Sequence, residues 1–396
     1  MRICRVATVP FMFLHHLNSQ IEATLAAGHE VYLVSSPSSG FRDGIQDDLK
    51  FSGMLFHGIE IPRKISPLAD LGALIALYRF FRQGRFDVVH SITSKAGLLC
   101  AVAAMAAGVP LRMHTFIGQP WAGLSGPIRW VSKACDWLIV RLNTQCYADS
   151  ESQRAFLVAE GVADSGHIKT LGAGSIAGVD LSQFDAGRFD RRQIKVELAI
   201  PVDAQVIVFL GRINREKGIV ELVIAFDILS QKGFDKVFLL IIGPFESDSH
   251  SLPDATKKSL EQHQRIRVLG YIDAPEKLLA IAELFCLPSY REGFGSVVIE
   301  AAAMGVPTVA TRVVGLVDAV AEGETGLLVP PKDARALADA LARLLGDSQL
   351  RLELGAAAQA RARELFDSAK VNQLVLNEYE YLSDSRRVRS IKQESS

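Results

Sequence analysis

Two doubly wound α/β domains, each a parallel sheet with helices on both faces, are the fold class predicted for this 396-residue chain. Three observations carry the expectation. Strand-length apolar runs alternate with helix-length amphipathic runs through the first half. The same alternation restarts after a glycine-rich, polar stretch at 172–190. Twice in the second half a short apolar run opens through glycines into a helix, the kind of junction at which open α/β sheets bind ligands.

In chain order, the first half reads as strand Arg2–Val9, helix Leu17–Ala27, strand Glu30–Ser35, helix Ala69–Gln83 and strand Asp87–His90. It continues as helix Ala96–Ala107, strand Arg112–Phe116, helix Ile128–Leu142, strand Gln145–Asp149 and helix Glu151–Glu160. Strands follow in the second half at Val206–Leu210, Val237–Ile242, Arg267–Leu269, Leu284–Leu287 and Thr308–Ala310, with helices between them. Two more helices occupy Pro330–Phe366, and a last helical run covers Lys370–Ser383. A hinge between the domains is expected near 185–203, and the polar tail is expected to be disordered.

Composition narrows the function classes. Hydrophobic content of 49% with 22% charged residues is that of a globular protein. A net charge of −1 argues against non-specific nucleic-acid binding. Residues 1–195 carry 20 basic against 16 acidic side chains, and the remainder 23 against 28. A mildly basic first half suits an anionic membrane or a pyrophosphate-bearing acceptor; ordinary scatter of surface charge is the competing reading. Five cysteines with no metal-ligand spacing point to buried, reduced thiols and a cytosolic setting. No secretory signal is apparent, and the longest apolar run, Leu98–Pro110, is too short to span a bilayer. No two aspartates are separated by one residue, and no metal constellation appears. Trp130 and Trp137, with Arg129, Lys133 and Arg141 nearby, suit a membrane interface or a half-buried surface helix.

The densest chemistry lies at 284–304. Strand Leu284–Leu287 is broken by Pro288-Ser289-Tyr290, and Arg291-Glu292-Gly293-Phe294-Gly295 leads into a helical run from Ser296 to Met304. A helix N-terminus presents unpaired N–H groups and partial positive charge, which suits a phosphate. The glycines admit close approach of backbone to ligand. Glu292 before the helix and Glu300 about a turn inside it can accept hydrogen bonds from hydroxyls. Phosphate plus hydroxyls describes a sugar nucleotide. A second loop, Gly211-Arg212 through Lys217-Gly218, leaves strand Val206–Leu210. It offers a planar fork of donors and a mobile point charge to diphosphate oxygens.

In these residues the chain resembles the retaining glycosyltransferases of family 4, which have the two-domain GT-B architecture. The resemblance rests on Gly211-Arg212 with Lys217-Gly218, and on Glu292 and Glu300 with seven residues between them. Leu287-Pro288-Ser289, Gly305-Val306-Pro307 and Glu324-Thr325-Gly326-Leu327-Leu328-Val329 extend it. In the first half it rests on Val88-Val89-His90-Ser91, Lys95-Ala96-Gly97, His114-Thr115-Phe116 and Gly174-Ser175 with Gly178-Val179-Asp180. Those segments are most similar to enzymes that build bacterial O-antigen, capsule or exopolysaccharide units on a lipid carrier. One departure stands out: relatives carry a glycine pair after the first strand, where this chain has Pro10-Phe11-Met12-Phe13 and then His15-His16.

The resemblance implies two Rossmann-like domains facing across a cleft. Residues 1–195 would bind the acceptor, 196–368 the donor, and a helix at 369–385 would cross back to the first domain, leaving 386–396 as the disordered tail. It implies retaining transfer of a hexose or N-acetylhexosamine from a UDP-sugar to a polyprenyl-diphosphate-linked saccharide. The setting would be the cytoplasm, with peripheral contact at the inner face of the membrane, and no cofactor, metal or nucleic acid would take part. The implied catalytic residues are Glu292, Lys217, Arg212 and His114. Donor binding falls to Gly211, Gly293, Phe294, Gly295, Ser296 and Glu300, and acceptor binding to His16, Lys95 and Thr115. An interior histidine is the competing reading of His114, and a solvated or capping lysine that of Lys95. A sugar-nucleotide epimerase, a soluble disaccharide synthase and a non-catalytic nucleotide-sugar module remain as alternative functions.

Overall fold

The computed structural model describes residues 1–37, 54–246 and 251–394. The chain divides into two compact units, Met1–Gly178 with Ser368–Ser396, and Val179–Asp367. The boundary falls at 178/179, ahead of the expected 195, because the intervening residues bond into the second unit. Val179 N donates to Phe366 O at 2.7 Å, Gln183 Nε2 to Glu276 at 3.3 Å, and Arg191 to Glu283 at 2.7 Å. The expected hinge at 185–203 therefore lies within the second unit.

The first unit is built on seven parallel strands: β1 (Arg2–Val6), β2 (Glu30–Ser35), β3 (Leu55–Gly58), β4 (Val88–Ile92), β5 (Leu111–Phe116), β6 (Gln145–Ala148) and β7 (Ile168–Thr170). Their order is β3-β2-β1-β4-β5-β6-β7, which reverses direction between β1 and β4. Helices α1 (Asn18–Ala26), α2 (Pro67–Gly84), α3 (Ser94–Ala106), α4 (Gly126–Leu142) and α5 (Glu151–Ala159) connect them. Successive side chains of a strand point to opposite faces, and β1 shows it. Cys4 and Val6 enter a core with Leu77 and Phe81 of α2, whereas Ile3 enters another with Val375 and Tyr379. The latter two belong to the C-terminal helix, which thus packs on the first unit. That helix runs unbroken from Ser368 to Glu394. It passes the expected end at 385, and of the tail, residues 395 and 396 lie outside the described ones.

The second unit holds α6 (Arg191–Glu197) and six parallel strands: β8 (Gln205–Leu210), β9 (Val237–Ile242), β10 (Ile266–Gly270), β11 (Leu284–Leu287), β12 (Thr308–Thr311) and β13 (Gly326–Val329). Their order, β10-β9-β8-β11-β12-β13, reverses between β8 and β11. Helices α7 (Ile219–Gln231), α8 (Asp254–Gln262), α9 (Glu276–Leu279), α10 (Ser296–Ala303), α11 (Leu316–Ala319), α12 (Ala334–Gly346) and α13 (Ser348–Leu365) surround the sheet; the C-terminal helix is α14. β9 is buried along its whole length, as a strand covered by helices on both faces requires.

Three strands escaped the sequence reading: β3, β7 and β13. The first two have weak patterns of their own and exist because a neighbour's register recruits them, Tyr32 opposite Leu55 and Cys146 opposite Ile168.

Candidate functional site

In an open α/β sheet the ligand crevice lies beyond the carboxyl ends of the strands where the order reverses. In the second unit that point is between β8 and β11, the strands from which the two loops singled out above emerge. The loops touch. Gly218, at φ +71°, lies so close to the second loop that a Cβ would sit 2.0 Å from Pro288 O, which only glycine tolerates. Tyr290 N donates to Glu216 O at 2.8 Å, and Arg291 pairs with Glu216 at 2.7 Å. The third loop, after β12, closes on the same turn. Gly315, at φ +85°, leaves room for no Cβ, which would fall 2.6 Å from the Gly293 carbonyl.

This convergence brings Lys217 and Glu292 into an ion pair, both side chains largely buried, and Ser289 Oγ donates to the same carboxylate at 2.7 Å. Glu292 is thus held between a cation and a hydroxyl at the mouth of a glycine turn. Arg212 instead pairs with Glu246 at 2.6 Å, and its side chain is half exposed. Gly211 precedes it at the end of β8. Gly295, at φ +91°, is the N-cap of α10, whose first turn begins at Ser296 and has no side-chain cap. The Phe294 ring, by contrast, is core, 1% exposed and 5.2 Å from Phe366, so only its backbone is available to a ligand. The Glu300 carboxylate, on α10, has no hydrogen-bond or ion-pair partner among the described residues. Desolvation first, and the Glu276 charge second, push its carboxyl up to about 7. A carboxylate so placed gains most from a ligand that supplies hydrogen bonds to it.

Two residues of this site went unnoticed in the sequence. Asn214 is fully buried; its Oδ1 accepts from Lys217 N at 2.9 Å, and its Nδ2 donates to Glu246. Glu246 therefore braces Arg212 directly and the Lys217 turn through Asn214. The signal was available only as two polar residues 32 positions apart, each near a strand end.

In the first unit the expected residues fall into different surroundings. His114 is 1% exposed, accepts or donates at 2.9 Å to Ser91 Oγ, and lies under α3, where a Cβ on Gly97 would meet its ring. Burial pushes it down to about 3, so it is neutral. In the fold it is an interior histidine whose Nε2 has no hydrogen-bond partner among the described residues. Thr115 points the other way, and its hydroxyl meets His90 Nε2 at 2.8 Å. His90 Nδ1 reaches Tyr379 OH at 2.8 Å, and Tyr379 OH accepts from Arg5 at 3.0 Å. This buried chain pins α14 to the sheet. Lys95 is tied to Asp70 at 2.7 Å and to Lys64 O. His16 closes a π-helical turn, Met12–His16, with Phe11 edge-on at 5.7 Å. Burial, then neighbouring His15, push it down to about 4. Among the described residues no three His, Cys, Asp or Glu side chains are grouped to hold a metal ion.

Comparison with known proteins gives the same answer for both halves. The family model for glycosyl transferases group 1 matches residues 190–361, and that for a glycosyl transferase 4-like domain matches 15–174. The capsular polysaccharide biosynthesis glycosyltransferase CapM of Staphylococcus aureus is 30% identical over 353 residues, covering 89% of this chain and 90% of the relative. An Escherichia coli UDP-Gal:α-D-GlcNAc-diphosphoundecaprenol α-1,3-galactosyltransferase is 24% identical, with 82% of each chain covered. Among solved structures, Anabaena HepE in complex with UDP-glucose superposes with a TM-score of 0.75 at 19% identity, covering 96% of this chain and all (100%) of HepE. The last shares the GT-B fold.

Proposed function

Because the chain belongs to the group 1, 4-like glycosyltransferases, we propose that it moves a hexose or N-acetylhexosamine from a UDP-sugar to a lipid-diphosphate-linked saccharide, with retention, in the synthesis of a bacterial surface polysaccharide. The observation that carries the reading is the Lys217–Glu292 pair at the point where the sheet reverses, beside the uncapped start of α10. Relatives support the substrates: the E. coli enzyme is named for UDP-Gal and a diphosphoundecaprenol acceptor, CapM for capsular polysaccharide, and HepE is solved with UDP-glucose.

In this reading the diphosphate takes the Lys217 ammonium and the Arg212 guanidinium, which neutralise the charge that develops on the leaving group. The N–H groups at the start of α10 add partial positive charge. Glu292, released from Lys217, accepts hydrogen bonds from the donor sugar's hydroxyls. Glu300 accepts from the ribose diol, a pair of donors that matches its unpartnered carboxylate. Positioning and electrostatics supply the acceleration, and the leaving phosphate oxygen takes the acceptor proton. Cationic side chains fill the role a metal would have, so a chelator leaves the rate unchanged.

The test is incubation with UDP-glucose, UDP-galactose, UDP-N-acetylglucosamine and UDP-N-acetylgalactosamine and a polyprenyl-diphosphate-linked saccharide, following UDP release and the anomeric signal of the product. One donor should give acceptor-dependent UDP release and an α-linked product. Release with none of them, or a β-linked product, refutes the reading.

A further inference from the structure

The two loops of the second unit meet through more bonds than the Lys217–Glu292 pair, and those bonds interleave along both chains. Glu216 O accepts from Tyr290 N at 2.8 Å, and the Glu216 carboxylate accepts from Arg291 Nη2 at 2.7 Å. Lys217 pairs with Glu292. Glu221, in the first turn of α7, receives the Tyr290 hydroxyl on both carboxylate oxygens, at 2.7 and 2.8 Å. The Tyr290 ring lies beneath Lys332, whose Nζ is 4.9 Å from the ring centre. Burial, then the bond to Glu221, push the Tyr290 hydroxyl up from its ordinary value, so it is a donor at neutral pH. A hydroxyl bound to a carboxylate is held more strongly than one bound to a neutral acceptor.

A donor acts on these bonds unequally. In the function proposed for this site the diphosphate takes the Lys217 ammonium, which ends its bond to Glu292. The loops then lose the contact that sets one charge against the other. Thr311 Oγ1 donates to Ser289 O, and Gly315 packs on the Gly293 carbonyl. Both contacts tie the Glu292 segment to the β12 side of the sheet, not to the loop that bears Lys217. The Tyr290–Glu221 and Arg291–Glu216 bonds use no side chain given to the donor, so they persist when it binds. Tyr290 and Arg291 directly precede Glu292, and Glu216 directly precedes Lys217. Bonds among these neighbours therefore fix the separation of Lys217 from Glu292.

We propose that Tyr290 with Glu221, and Arg291 with Glu216, are positioning pairs: a clasp that keeps Lys217 and Glu292 in register after the diphosphate has opened the bond between them. The donor's part in this rests on the function proposed above; the clasp's own hold on the two loops does not. Opening either the Lys217–Glu292 pair or the clasp leaves the loops joined, whereas opening both separates them. Side chains that act independently would give effects that simply add.

Hydrogen exchange over residues 286–296 of the full chain reads the register, because the Tyr290 N–H closes onto Glu216 O. Lys217→Ala, and Tyr290→Phe with Arg291→Gln, should each lower protection there about threefold or less. Combined, they should lower it about thirtyfold or more, well beyond the product. UDP calorimetry reads the bound state. Tyr290→Phe with Arg291→Gln should weaken UDP binding about tenfold, while the ligand-free melting temperature stays within about 2 °C of the parent's. Glu221→Leu alone should weaken it about fivefold, and Glu221→Gln, which keeps an acceptor for the Tyr290 hydroxyl, by no more than about twofold. If UDP does not bind the parent while the combined loss of protection exceeds the product, the functional reading fails and the clasp stands. A combined loss no larger than the product, UDP bound alike by the parent and the clasp variant, or Glu221→Gln as weak as Glu221→Leu overturns it.

Discussion

Replacing Glu300 with glutamine should strengthen the fold and weaken the site at once. In the ligand-free chain its carboxyl sits at about 7, raised from 4.5 by desolvation and by Glu276. Between those values the folded chain holds a proton that the unfolded chain has released, so stability falls as pH rises and levels off above 7. The shift corresponds to at most roughly 3 kcal/mol, and residual solvent contact of a half-buried side chain lowers this to about 1–3 kcal/mol. Glutamine carries no charge to desolvate. Glu300→Gln should therefore be about 1–3 kcal/mol more stable than the parent at pH 8 and close to it at pH 5, or roughly 2–4 °C in Tm for each kcal/mol. The site responds in the opposite sense. An ionised carboxylate accepting two hydroxyls contributes about 1.5–3 kcal/mol, so UDP affinity at pH 8 should fall about tenfold to a hundredfold. Parent affinity should climb through pH 7, whereas the variant's should be flat. Inorganic pyrophosphate, which has no ribose, should bind both alike. Thermal melts at the two pH values with UDP and pyrophosphate calorimetry decide it. A variant no more stable at pH 8 than the parent, or one that keeps its UDP affinity, would refute the argument.

Three further outcomes are expected. Lys217→Ala should cost on the order of a hundredfold or more in kcat, since loss of one transition-state charge partner is worth about 2.7–4 kcal/mol; steady-state assays with the preferred donor measure it. Asn214→Ala strips partners from Lys217 N and from Glu246, and should lower stability by about 1–3 kcal/mol in urea titrations while loosening UDP binding. Gly218→Ala places a Cβ against Pro288 O in a left-handed backbone, so a loss of at least about 2 kcal/mol is expected, together with loss of UDP binding as the two loops separate.

The donor side of this protein was legible because its chemistry is local. A strand, a glycine turn and a helix start are contiguous in sequence, and the Glu292-to-Glu300 spacing lies within one such unit. The first-unit residues were harder. His114 and Thr115 are neighbours in sequence, but alternation along β5 sends one under α3 and the other toward α14. No local pattern says which of those faces is open to a ligand.

By itself, then, the chain's order of residues dictated the alternation of strands and helices, the two-fold repetition of that scheme and the identity of the cationic and acidic loops. Periodicity and glycine placement act over a few residues and need no distant partner. Only the assembled structure decided that Lys217 meets Glu292 across 75 positions, that Glu246 holds Arg212, and that Tyr379 reaches His90 across 289. Those pairs form because parallel strands far apart in sequence end side by side, and burial then leaves each polar group only the partner that packing has placed within reach.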